Sequence, residues 1–119
     1  MKGLLVVVLT AVLTATSSAQ QVYKSDDAGV VLPTVVKSVK PQYTQAAMQQ
    51  QIQGRTLLEC VVHADGTAGD INVIESLDSM YGLDEEAIKA LTQWQFRPGT
   101  RDQKPVAVRV QVVMTFTLK

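Results

Sequence analysis

Between residues 106 and 118 every second residue is apolar: Val106, Val108, Val110, Val112, Met114, Phe116 and Leu118. The residues between them, Ala107, Arg109, Gln111, Val113, Thr115 and Thr117, are mostly small or polar. Successive side chains of a strand point to opposite faces, so unbroken alternation at period two predicts one β-strand with one buried face. No Pro, no Gly and only one charge, Arg109, interrupt it. Such a strand needs a partner sheet. Where one of its sides is a sheet edge, it offers a row of unpaired N–H and C=O groups. That edge is the most prominent binding surface in the sequence.

A chain of 119 residues has one domain as its prior. Its 46% hydrophobic content is that of a packed protein. Eleven Lys and Arg balance eleven Asp and Glu. This neutrality gives no electrostatic drive toward nucleic acid or an anionic membrane, so no nucleic-acid partner is expected. Residues 1–19 have the pattern of a secretory signal peptide. Lys2 is followed by an apolar run over 4–13, and Ser17-Ser18-Ala19 fits a small-x-small cleavage site. The alternative is an uncleaved anchor, although the apolar run is short against the roughly 20 residues a span requires. No cysteine adjoins the cut, which excludes a lipoprotein. Cys60 is the only cysteine, so an exported domain would hold its core without a disulfide.

Residues 20–32 read as a flexible leader that turns into an extended, apolar arm, part of which lies along the domain. Pro33 and Pro41 oppose a helix across either position. A first helix is predicted over 45–53, with Thr44 as N-cap, Tyr43 and Met48 as a hydrophobic staple, and Gly54 as a left-handed C-cap. A strand over 55–63 places Thr56, Leu58, Cys60 and Val62 on one face. The Asp65-Gly66 pair predicts a hairpin turn into a second strand over 68–76. A second helix over 85–95 has Asp84 as N-cap and an apolar stripe of Ala87, Ile88, Leu91 and Trp94, with Arg97-Pro98-Gly99 as its stop and 100–105 as a polar loop. The expected fold is therefore α+β with two layers. A three-stranded antiparallel sheet carries two helices on one face, in the order α-β-β-α-β, over residues 33–119.

Little in this pattern points to catalysis. His63 and Cys60 are three apart on a strand and face opposite ways, so they cannot form a nucleophile–base pair. Cys60 reads as a small core residue and His63 as a surface residue beside a turn. Adjacent Asp84, Glu85 and Glu86 suit a helix start. No cluster supplies the three or four ligands a metal needs, and no glycine-rich turn cradles a phosphate. No cofactor, no metal and no enzyme activity are expected.

Several pieces in order resemble the C-terminal domain of the TonB energy transducers. They are Pro41-x-Tyr43, Ile52-x-Gly54, the strand 56–62, Asp65-Gly66, Leu83-Asp84-Glu85-Glu86-Ala87, Trp94-x-Phe96-x-Pro98-Gly99 and the alternating last strand. Proteins of that family pass energy from an inner-membrane proton-driven motor to outer-membrane transporters. Their C-terminal domain binds a short extended peptide, the TonB box, as an added strand along the last strand of its sheet. The resemblance implies TonB-dependent outer-membrane transporters as partners and the periplasm as location. It also implies a peptide site made of Val108, Val110, Gln111, Val112 and Val113, with Lys40, Gln42 and Tyr43 beside it. Thr44 stands where the family commonly has a proline. Energy transduction would need residues 1–19 retained as an inner-membrane anchor, or motor proteins recruited another way. The other reading is an envelope interaction module, or a homodimer paired through its edge strand, with no transport role.

Overall fold

The structure is a computed structural model that describes residues 21–118; the segment read as a signal peptide lies outside them. Three strands form the centre. β4 (Gly54–Val62) and β5 (Ala68–Glu75) make the expected hairpin, and β8 (Lys104–Phe116) lies antiparallel on the other side of β4. The turn closes with the Gly66 N–H donating to the His63 carbonyl at 2.9 Å. Asp65 Oδ1 accepts from the Thr67 N–H at 3.0 Å, which is the local competition that makes Asp a turn residue.

The sheet is larger than three strands. β1 (Val22–Lys24) joins β8 in parallel, β7 (Gly99–Arg101) joins it in antiparallel, and β2 (Val30–Val31) joins β7. A separate pair forms from β3 (Thr34–Lys37) and β6 (Gln95–Arg97). Three short strands thus lie in the segment read as leader and arm, and the sheet is mixed through β1. The predicted polar loop over 100–105 is instead a tight hairpin from β7 into β8. Asp102 and Gln103 both take positive φ, at 51° and 66°, the backbone that two-residue hairpin turns require. These additions have two to four residues each, too few to display an alternation.

Both helices are shorter than the sequence pattern suggests. α1 (Gln45–Gln49) is capped by Thr44, whose hydroxyl accepts from the Ala47 N–H at 3.1 Å and donates to the Tyr81 carbonyl at 2.7 Å. Gln51, at φ 52°, takes the left-handed position after it, not Gly54. Gly54 begins β4 at φ 146°, where a Cβ would stand 2.6 Å from Leu77 Cδ1. A glycine suits this position for its positive φ at the start of a strand rather than for capping, since the Leu77 methyl can move aside. The Tyr43 ring meets Phe116 edge to face, at 5.6 Å and 84°, while Met48 stays 44% exposed, so Phe116 takes the role expected of Met48.

α2 (Leu83–Thr92) begins two residues early, and its N-cap is Gly82, not Asp84. Asp84 is instead buried and ties three elements together. It accepts from Thr56 Oγ1 at 2.9 Å, from the Leu77 and Asp78 N–H groups at 3.2 and 3.3 Å, and from Ser76 Oγ. Asp78 in turn accepts from the N–H groups of Met80, Tyr81 and Leu83 at 2.9, 2.9 and 3.2 Å. The loop between β5 and α2 is therefore built on two carboxylates. The predicted stop at Arg97-Pro98-Gly99 falls beyond the helix, because Gln95, Phe96 and Arg97 already run as β6.

The core lies between the helices and one sheet face. Leu58, Cys60, Val62, Met114 and Phe116 from the sheet meet Ala47, Leu83, Ala87 and Leu91 from the helices. Each fully buried large apolar side chain contributes roughly 1.5–3 kcal/mol. Trp94 lies past the end of α2. Its Nε1–H donates to the Val39 carbonyl at 2.9 Å, and its ring tilts against Phe96 at 6.0 Å, which clips the incoming arm to the domain.

Candidate functional site

The two sides of β8 are unlike. Along one side β4 pairs with it from Val108 to Phe116 without a break. Along the other, β1 covers 107–109, while β7 pairs with 104–106, outside the stretch that β4 covers. Among the described residues no strand covers 110–116. At roughly 3.3 Å per residue this open stretch is about 23 Å long.

It differs from the opposite edge of the sheet. β5 has two register shifts against β4, a positive φ of 47° at Asp70, and acidic residues at Asp70 and Glu75. Bulges and charges are the ordinary protection of a free edge. The open stretch of β8 has neither: it reads Val110, Gln111, Val112, Val113, Met114, Thr115, Phe116. Its core face is only partly covered. Met114 and Phe116 are buried, yet Val110 and Val112 on the same face are half-buried. A strand added here would cover them with every second side chain. On the outer face Gln111 and Thr115 are exposed and Val113 is 49% exposed.

Where β1 ends and the open stretch begins, a recess of about 610 Å³ lies between Lys24, Asp26, Leu32, Glu59, Arg109 and Gln111. Arg109 Nη1 donates to Glu59 Oε1 at 3.1 Å. The pair is solvent-accessible and is worth no more than about 1 kcal/mol. The Cys60 thiol is buried, and its pKa is pushed up to about 11, chiefly by burial and next by the Glu59 charge, with Arg109 opposing. Such a thiol is a poor nucleophile. Among the described residues no group of three His, Cys, Asp or Glu side chains could hold a metal ion.

The residues singled out from the sequence fall into three groups. Val110, Gln111, Val112 and Val113 stand together on the open stretch. Val108 is fully buried, and the β1 residue Tyr23 lies opposite it. Tyr43 reaches the far end of β8 through Phe116, whereas Lys40 and Gln42 line a separate groove of about 320 Å³ against Glu86, Lys89 and Gln93 of α2. Sequence reasoning left out Met114, Thr115 and Phe116 as edge positions, although the alternation runs through them.

A small α+β domain with its helices on one face and an uncharged, uncovered stretch along its longest strand is the class this geometry defines. Residues 39–118 match the family model described as Gram-negative bacterial TonB protein C-terminal. The chain belongs to the TonB C-terminal family. It is 30% identical over 104 residues to "Protein TonB" of Vibrio cholerae serotype O1, covering 87% of this chain and 42% of that protein. It is 35% identical over 78 residues to "Protein tonB2" of Pseudomonas aeruginosa, covering 66% of this chain and 28% of that protein. The chain thus spans less than half the length of these relatives. The solution NMR structure of the Pseudomonas aeruginosa TonB CTD is similar, with a TM-score of 0.60 and 25% identity, over 81% of this chain and 93% of that one.

Proposed function

We propose that this chain is a periplasmic TonB-like domain that takes an extended peptide, the TonB box of outer-membrane transporters, as an added strand along residues 110–116 of β8. It would act in energy-dependent transport across the outer membrane. The observation that carries this reading is the open, uncharged stretch of β8 beside a fully paired β4. Main-chain groups there supply affinity, and half-buried Val110 and Val112 favour apolar residues at alternate positions of the guest. If residues 1–19 stay attached as an inner-membrane anchor, motor proteins become partners as well.

Site-directed cross-linking in cells tests this. Gln111→Cys, exposed on the open stretch, should form a disulfide with cysteines placed in the N-terminal periplasmic segment of a TonB-dependent transporter. No adduct from Gln111→Cys, with adducts from surface positions elsewhere, would remove the assignment. A second reading is favoured by the same lack of charge, since nothing on the stretch opposes pairing with a second copy. Concentration-dependent sedimentation of the chain without peptide separates a dimer from a peptide acceptor.

A further inference from the structure

β1 lies on the same side of β8 as the open stretch, directly in line with it. Val22, Tyr23 and Lys24 stand parallel to Ala107, Val108 and Arg109, and the uncovered residues begin at the next position. β1 therefore occupies, at 107–109, the continuation of the same edge that an added peptide would use at 110–116. It also precedes the residues that the family model matches, which start at 39. Its hold is small. It has three residues and, among the described residues, pairs only with β8. Val22 is 38% exposed and Lys24 is exposed. A strand this short is marginal without outside support.

Two contacts supply that support. The Arg101 guanidinium sits over the Tyr23 ring, 5.0 Å from its centre. The turn after β1 is closed by the Lys24 N–H donating to Asp27 Oδ2 at 2.8 Å and the Asp27 N–H donating to the Lys24 carbonyl at 3.1 Å. Neither contact is part of the β1–β8 ladder. An extended guest longer than the open stretch meets β1 end to end at Arg109.

We propose that β1 is a resident strand, displaced when a longer extended peptide adds to β8, and that its occupancy of 107–109 lowers the apparent affinity of the edge. The inference rests on the reading that 110–116 accepts such a peptide. When a binding-competent state is only partly populated, apparent affinity falls by that fraction. Freeing β1 therefore tightens binding, and fastening it weakens binding.

The test uses the full chain and a synthetic peptide of about ten residues from the N-terminal segment of a TonB-dependent transporter of the same organism, longer than the open stretch at ~3.3 Å per residue. Lys24→Cys with Arg109→Cys joins two register partners on neighbouring strands about 4.8 Å apart, a separation a disulfide spans. Oxidation locks β1, and reduction of the same molecule frees it, so folding is controlled internally. The oxidised form is expected to bind about tenfold more weakly than the reduced form, and Arg101→Ala about threefold more tightly than the unaltered chain. Amide exchange should show Val22–Lys24 losing protection as peptide is added. Equal dissociation constants in the oxidised and reduced forms, with peptide-induced shifts confined to 110–116, would overturn the inference alone. No shifts anywhere on β8 in any form would overturn both it and the peptide-binding reading.

Discussion

Cys60 stands opposite Val110 across the β4–β8 ladder, and among the described residues nothing stands opposite Val110 on its other side. One strand position therefore joins the sealed centre of the sheet to its open border. Val113, three residues along and 49% exposed, is a place to alter that border without touching the core. Val113→Lys adds a charge of the kind that discourages edge pairing. Its unfolding free energy is expected to stay within about 0.5 kcal/mol of the unaltered chain, as for most surface changes. Its affinity for an added peptide is expected to fall about threefold, on the scale of one cross-strand pair. Urea titration and peptide titration of one sample check both.

The buried carboxylate of Asp84 serves more than helix α2. Asp84→Ala removes the acceptor shared by Thr56 Oγ1 and the N–H groups of Leu77 and Asp78. Loss of a helix cap costs about 1 kcal/mol. Stranding buried donors costs more, about 3 kcal/mol in total. Equilibrium denaturation of Asp84→Ala decides between the two values, and the larger is expected.

Asp84 also marks where sequence pattern stops short. Its type and place satisfy the rule for an N-cap, and nothing local distinguishes a cap from a buried residue one position inside the helix. The difference is made by Thr56, 28 residues away on β4. The central strands and both helices were legible because their burial repeats over eight or more residues or around a full turn. β1, β2, β3, β6 and β7 were not: each is too short for a period, and all but β7, which turns directly into β8, pair with a partner far along the chain. The same holds for the candidate edge. Alternation in 106–118 predicts a strand with one buried face, but only the positions of β4 and β1 show which side is open and that it opens at 110.

Stability should depend on acid through Asp78. Burial raises the pKa of this carboxyl, but the N–H groups of Tyr81, Leu83 and Met80 together outweigh it, and the net shift is below the ordinary value of 3.8. A carboxylate with a lowered folded pKa stabilises the fold at pH above its unfolded value and loses that contribution as pH falls through the folded one. The urea midpoint should thus decline below about pH 4. In Asp78→Asn the midpoint at neutral pH should be lower, and the decline below pH 4 shallower than in the unaltered chain.

Tyr43 joins the start of α1 to the end of β8. Its hydroxyl donates to the Ile52 carbonyl while its ring packs on Phe116. Tyr43→Phe keeps the ring contact and strands one acceptor, at a cost of about 1 kcal/mol. Thermal unfolding should register that loss, and the amide shifts of 110–113 should remain where they were.

The most direct measurement is a backbone amide NMR titration of the chain with synthetic peptides from the N-termini of TonB-dependent transporters of the same organism. The largest shifts are expected on residues 110–116, with smaller ones at Tyr43, which touches Phe116. Shifts centred instead on the groove of Lys40, Gln42, Glu86 and Lys89, or no shifts at millimolar peptide, would contradict that expectation.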